Sequence, residues 1–320
     1  MKLLHEYQNG NYQVKIFDDG TKIRETEENE FIADFPENID IKISDRCDLG
    51  CAYCHENSTP NGDVAHFNHE FFSTLRPGTE LAIGGGNVFE NPCLAEFMEL
   101  CKMRGIIANL TINQSHLVSR DKTGNIIPVK GTWDLLKLGQ NNLLNGVGIS
   151  YNGDAEALFQ LYKQCHYYGI NTNNFVIHTI NGIHSFSDIM KLGGLGMKVL
   201  ILGYKDVRRG IEFRSKMDNT IKSNQQSLYV GLEELAKHFK VVSFDNLALE
   251  QLEVKRLLSQ EEWDEFYMGD DGSHTMYIDL CKEEFSMNSC AVNKRYKLMS
   301  DIVDMFKIVK EDKKIESTNS

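Results

Sequence analysis

Proline and tryptophan are scarce in this chain, five and two among 320 residues. Their scarcity excludes a proline-rich or collagen-like extended molecule. Long hydrophobic runs are absent too. The densest short one is Val199-Leu200-Ile201-Leu202, far below the roughly 18 apolar residues that a membrane span needs. The opening MKLLHEYQNG turns polar after four residues and lacks the apolar stretch and small-residue cleavage site of a secretory signal. Positive charge is also in deficit: 34 Lys and Arg against 46 Asp and Glu leave a formal net charge of −12. Such a surface repels phosphate backbones and anionic lipid at long range, so neither bulk nucleic-acid binding nor membrane association is expected. The chain reads as cytoplasmic, where thiols stay reduced.

What is present describes a globular protein. Apolar residues make up 41% and charged residues 25%, enough to bury a large core. The length suits about two domains, or one α/β barrel of about 200–250 residues with appended segments. Tyr12 to Phe17, the turn residues Asp18-Asp19-Gly20 and a second short run predict a hairpin within residues 7–27. From residue 39 onward, short β-branched runs alternate with segments of helical spacing, which predicts βα units on a parallel sheet. Strands are expected at 39–43, 80–83, 106–112, 146–150, 174–179, 198–202 and 240–244, with a late one at 276–280. Helices are expected at 92–103, 154–168, 185–192 and 227–239, and the tail from Lys307 as a frayed helix running into disorder. This divides the chain into a hairpin extension (1–38), a βα core (39–245) and a C-terminal cap and tail (246–320). Small and polar residues follow nearly every strand: Ser44-Asp45-Arg46-Cys47, Gly84-Gly85-Gly86-Asn87, Asn113-Gln114-Ser115-His116 and Tyr151-Asn152-Gly153-Asp154. That edge of a parallel α/β sheet is where ligands bind.

Of the eight cysteines, Cys93, Cys101 and Cys165 are scattered and read as small buried hydrophobes. Three others fall within eight residues, Cys47-Asp48-Leu49-Gly50-Cys51-Ala52-Tyr53-Cys54. Spacings of four and three let three thiolates converge on one side of an irregular loop that Gly50 relieves. Soft thiolates select zinc, copper(I) or iron–sulfur clusters. A structural zinc needs a fourth ligand, for which only His55 adjoins, in an awkward position next to Cys54. A [4Fe–4S] cluster on three cysteines would leave one iron open to a small molecule.

The pattern Cys47-x3-Cys51-x2-Cys54, directly after a first strand and with Tyr53 before the last cysteine, resembles the cluster loop of the radical S-adenosylmethionine enzymes. The resemblance spans roughly residues 39–245. It implies a parallel βα barrel, partial or complete and TIM-like, with an N-terminal β-hairpin and a C-terminal α/β cap. It also implies one [4Fe–4S] cluster on Cys47, Cys51 and Cys54. S-adenosylmethionine would chelate the open iron and be split reductively to a 5′-deoxyadenosyl radical that takes hydrogen from a substrate. Gly84-Gly85-Gly86 stands where the family has a Gly-Gly-Glu-type motif near the methionine ammonium, with Gly86 in place of the acidic residue. Tyr53, Asn113, Ser150 and Asn152 fall at positions similar to the family's nucleoside or methionine contacts. The resemblance further implies a one-electron donor such as a flavodoxin or ferredoxin, and a peptide, protein or nucleotide-type small-molecule substrate. A different class of reading is a non-enzymatic iron–sulfur or zinc protein that senses or carries electrons.

His116 and His178 lie near strand ends, where a substrate contact competes with an ordinary core or surface role. Lys205, Arg208, Arg209, Arg214, Lys216 and Lys222 form a basic stretch, read as a loop or lid able to hold a carboxylate or phosphate at the barrel mouth. Cys281 and Cys290 are too few for a second cluster, so one cluster is expected. Trp263, Tyr267 and Tyr277 belong to the expected cap.

Overall fold

The computed structural model describes residues 2–319. Its N-terminal strands β1 (Leu3–Asn9), β2 (Tyr12–Phe17) and β3 (Lys22–Glu25) form a small antiparallel sheet in the order β1-β2-β3. The expected hairpin therefore starts earlier and carries a third strand. The main series follows: β4 (Asn38–Ser44), β5 (Glu80–Gly85), α1 (Leu94–Met103) and β6 (Ile107–Asn113). A small hairpin, β7 (Val118–Arg120) with β8 (Ile126–Pro128), and α2 (Lys130–Gln140) come next. Then follow β9 (Gly146–Ser150), α3 (Ala155–Tyr167), β10 (Phe175–Ile180), α4 (Phe186–Met190), β11 (Lys198–Leu202), α5 (Arg209–Ala236) and β12 (Val241–Phe244). The chain ends with α6 (Asn246–Gln251), α7 (Gln260–Phe266), β13 (Thr275–Asp279), β14 (Glu284–Ser286), β15 (Tyr296–Lys297) and α8 (Ile302–Asn319). Among the described residues, no helix is long and apolar enough to cross a membrane.

The large sheet has the order β12-β11-β10-β9-β6-β5-β4-β13-β14-β15, with every neighbour from β12 to β13 parallel. Its edges are β12 and β15, so the sheet does not close on itself into the complete barrel that the resemblance allowed. Alternation builds it. In β4, Ile39, Ile41 and Ile43 are fully buried on the outer face, while Asp40 and Lys42 line the interior cavity. Asn109, Thr111 and Asn113 of β6 likewise line the cavity, while Ile112 between them is buried away from it. Helices cover the outer face. In α3, Leu158, Leu161 and Cys165 recur at helical spacing and are completely buried, and Asp154 caps the helix by accepting from the Ala157 amide at 3.0 Å. Cys101 and Cys165 are buried as expected; Cys93 is instead exposed where α1 begins.

Three departures from the sequence reading follow from long-range pairing. The late strand β13 joins the central sheet beside β4 (Thr275 opposite Asn38) rather than standing in a separate cap. The basic stretch from Arg209 onward is the start of α5, a helix of 28 residues with a kink at Met217. The tail is helical through Asn319, with Phe306 and Val309 fully buried.

The antiparallel sheet forms the floor of the cavity, to whose lining it gives Leu4, Ile16 and Phe17. Its Asp18-to-Thr21 turn lines the cavity, with the Asp18 carbonyl accepting from Asn174 and the Asp19 carbonyl from Lys198. Glu37, completely buried, anchors it: Arg24 binds its carboxylate through two nitrogens at 3.0 Å, and Tyr12 donates to it. His274 completes this network, its Nδ1 2.9 Å from the Tyr12 hydroxyl. At the opposite edge, Asp271 spans the open side, bound by Asn246 after β12 and by Asn288 after β14 (2.7 Å each).

Burial and the nearby Arg24 hold the His274 ring's pKa down to about 4, against 6.5 when free. Between those values the unfolded chain binds a proton that the folded chain refuses. Its contribution to stability is therefore full above pH 6.5 and falls as pH drops toward 4. Thermal melts should show a loss between pH 7 and 5 to which His274 contributes at most about 2 kcal/mol. His274→Gln should flatten that slope; an unchanged slope would refute the assignment.

Candidate functional site

The cavity wall mixes branched side chains such as Val176, Leu200 and Leu202 with much smaller ones. Glycines and short polar residues occupy inner positions: Gly84 on β5, Thr111 on β6, Gly148 and Ser150 on β9, Ser243 on β12. They leave a cavity of about 1070 Å³. At Gly148 an added Cβ would lie 2.2 Å from the His178 ring, so the glycine makes room for that imidazole. Burial and Lys205 bring the His178 pKa down to about 4, so the ring in this wall is neutral at physiological pH.

Cys47, Cys51 and Cys54 all line this cavity at the end of β4. The loop is tied down by its own backbone. The Cys47 amide donates to the Thr59 carbonyl at 2.9 Å and the Thr59 amide to Asp45 at 3.0 Å. Two arginines at the start of α5 clamp it from the other side. Arg208 donates to the His55 carbonyl at 2.8 Å, and Arg209 donates to Asn57, Ser58 and the Cys51 carbonyl. Tyr53 packs edge-on against Phe213 of the same helix at 5.6 Å. Two members of the basic stretch thus hold the loop, while Arg214 pairs with Asp206 at 2.9 Å and Lys222 with Asp218 at 2.6 Å. Lys205 is the member that faces the cavity, 2.9 Å from the Ser289 hydroxyl.

The three thiols are free and half-buried. Burial raises the pKa of Cys47 and of Cys51, and the neighbouring thiols and Asp48 add to the effect at Cys47. Both are therefore protonated thiols until a metal displaces the proton. The three sulfurs do not all lie within 4.8 Å of one another. Ligands sharing one tetrahedral zinc at Zn–S of about 2.3 Å would be about 3.8 Å apart. The donor set is thus too wide for a single ion and suits a larger thiophilic group.

Beneath the loop, Lys42 is 1% exposed and contacts Asp45, Glu56 (3.0 Å) and Asp279 (3.3 Å). Glu56 also accepts from Tyr277 and Arg208, and His55 and Lys42 hold its carboxyl well below the usual range against the pull of burial. Neither Lys42 nor Glu56 was singled out by sequence reasoning. The available signal was a lysine at an inward position of an otherwise apolar strand.

Of the residues expected to contact S-adenosylmethionine, Tyr53, Gly84, Gly85, Gly86, Asn113 and Ser150 all line the same cavity as the cysteines. Asn152 does not. Its amide donates to Ser115 at 2.8 Å and its side-chain oxygen accepts from the Asp154 amide at 3.0 Å, so it shapes the loop after β9. Gly85 has φ 115°, and at Gly86 an added Cβ would stand 2.4 Å from the Arg46 carbonyl oxygen. These glycines let the end of β5 lie directly on the cysteine loop, where the Asn87 amide donates to Arg46 at 2.7 Å. Gly86→Ala should therefore force the two backbones apart, costing about 1–3 kcal/mol by overpacking. It should lower iron uptake on reconstitution; a variant with unchanged melting temperature and iron content would contradict this.

Cys281 is half-buried, with its sulfur 3.6 Å from the Asp63 carbonyl, and burial beside Asp45 and Asp279 pushes its pKa up to about 12. Cys290 is likewise raised by burial. His116, by contrast, is 7% exposed and sits against the first cysteine, its Nε2 3.7 Å from the Cys47 sulfur.

No protein-family model and no curated protein matches the chain. Solved structures do. SuiB of Streptococcus suis bound to the precursor peptide SuiA superposes with a TM-score of 0.56 at 14% identity, covering 88% of this chain and 67% of SuiB. SuiB bound to S-adenosylmethionine gives 0.54 at 15%, covering 86% and 66%. This chain shares the SuiB fold. It spans about two thirds of SuiB's length.

Proposed function

We propose that the chain is a radical S-adenosylmethionine enzyme acting on a peptide side chain. The observation that carries this reading is the opening of Cys47, Cys51 and Cys54 onto one cavity of about 1070 Å³ inside a sheet of the SuiB fold. A small-molecule pocket occupies about 300–1,000 Å³, so this one has room for S-adenosylmethionine with a substrate group beside it. The cysteines would hold a [4Fe–4S] cluster, which when bound supplies the electron that splits S-adenosylmethionine into methionine and a 5′-deoxyadenosyl radical.

The remaining work falls to the protein. Gly84 and Gly85 bare backbone at the end of β5, where a carbonyl oxygen can approach an ammonium. Asn113 and Ser150 offer polar groups on the adjacent strand ends. The floor sheet and the apolar inner residues Leu200 and Leu202 keep water from the radical's path. A flavodoxin or ferredoxin would supply the electron. A peptide substrate is favoured over a nucleotide by the SuiB likeness, since SuiB was captured with a precursor peptide.

The test is anaerobic reconstitution with iron and sulfide, then dithionite and S-adenosylmethionine. Release of 5′-deoxyadenosine is expected, and a reducible cluster that releases none would leave an electron carrier or sensor. A peptide encoded beside the gene is the first substrate to try, with deuterium transfer into 5′-deoxyadenosine as the readout.

One observation favours a second reading. Cys47, Asp48 and His116 each offer a ligand atom within 4.8 Å of the others, a set compatible with one zinc. Metal analysis separates the two, since a single zinc without sulfide would exclude the cluster.

A further inference from the structure

His116 follows the end of β6, 69 residues from Cys47 in sequence, yet its Nε2 lies 3.7 Å from the Cys47 sulfur and 3.5 Å from an Asp48 carboxylate oxygen. Both of those atoms accept hydrogen bonds when ionised, as a metal-bound thiolate and an exposed carboxylate are. An unprotonated Nε2 would set three acceptors against one another. The proton therefore belongs on Nε2, which leaves Nδ1 as the bare lone pair, and Nδ1 is the buried atom without a hydrogen-bond partner. The ring is also fixed in place. It is almost fully buried, and its own backbone carbonyl lies 2.2 Å from where a Cβ on Gly131 of α2 would stand. The residue also lines the cavity onto which the three cysteines open.

We infer that His116 donates an Nε2–H···S hydrogen bond to the Cys47 thiolate and thereby sets the reduction potential of the metal group that this thiolate holds. This rests on the cluster reading above. Hydrogen bonds to the sulfurs are among the determinants of iron–sulfur potentials, because a donor stabilises the more negative reduced state. Loss of a partner that touches a ligand in this way typically costs about 10–100-fold in metal affinity or activity. The histidine acts through Cys47 and is a positioning and tuning residue.

The experiment uses the reconstituted full chain. Wild type, His116→Gln (a shorter side chain with an N–H donor) and His116→Phe (none) are titrated with dithionite and followed by the electron paramagnetic resonance of the reduced cluster. His116→Phe should be about three- to tenfold harder to reduce by equilibrium constant, a tenfold change being 59 mV for one electron. His116→Gln should fall between the two. In wild-type protein carrying ¹⁵N-histidine, pulsed resonance should detect weak nitrogen coupling that His116→Gln lacks; this keeps the inference testable if His116→Phe folds poorly. Equal potentials across the series, or no coupling in a wild type that does hold a cluster, would overturn it. Strong coupling typical of direct ligation would overturn it also, by making His116 a ligand. Failure of the wild type to take up iron and sulfide would instead remove the cluster reading itself.

Discussion

Alanine at Cys47, Cys51 or Cys54 is expected to abolish both the visible absorbance of the reconstituted cluster and the release of 5′-deoxyadenosine, each by more than about 100-fold. Loss of a residue that merely supports a metal ligand costs about 10–100-fold, and here a ligand itself is removed from a set of three with no spare. Cys281 is held at the Asp63 carbonyl and lines a separate small pocket beyond the end of β13, so it does not replace them. The fold should survive, because the three cysteines lie in a half-buried loop outside the apolar core. Circular dichroism of the apo variants should therefore match wild type. Cys165→Ala, Cys281→Ser and Cys290→Ser should keep the cluster. Retention of absorbance by the triple Cys47/Cys51/Cys54 alanine variant would end the assignment.

Lys42→Met should be the most destabilising single change, at about 3–5 kcal/mol, the usual consequence of stripping one partner from a buried ion pair. The ammonium touches three carboxylates. Without it, Glu56 keeps Arg208 at 3.3 Å, but Asp279 is left buried at 2% exposure. A fall in melting temperature of at least about 6 °C is expected. The pH dependence tells this apart from lost packing. In wild type, Glu56 titrates below its unfolded value, so the stability it gives is present above about pH 4.5 and lost as pH falls further. In Lys42→Met, the buried Asp279 would titrate further above its unfolded value, having lost the cation that lowers it. The damage would then be greatest at neutral pH and partly relieved on acidification. Burial already raises the Asp279 pKa in the intact protein, which is the direction this requires. A deficit that stays constant from pH 7 to 5 would show that the lysine's role is steric.

The parts of the molecule legible in the sequence are those governed by short spacing. Ile39-Asp40-Ile41-Lys42-Ile43 alternates at the period of a strand, and the structure extends that strand by only one residue at each end. The other expected parallel strands appear with similarly small shifts. The cysteine loop was legible for the same reason, since three thiols in eight residues converge wherever the loop goes. Asn152 illustrates the boundary of this reasoning. Its place after a strand matched a ligand-facing position, but whether a loop side chain turns inward depends on its local partners, here Ser115 and Asp154.

The sequence by itself determined the strand alternation, the polar strand ends and the three-cysteine donor set, because each follows from the periodicity or covalent spacing of neighbouring residues. Only the tertiary structure decided that β13 lies beside β4, that the N-terminal strands form the cavity floor, that Arg208 and Arg209 hold the loop, and that His116 reaches Cys47. These contacts join residues up to 262 positions apart, as between Tyr12 and His274. They depend on sheet order and register, which are set by the packing of the whole chain and leave no mark on any short stretch of it.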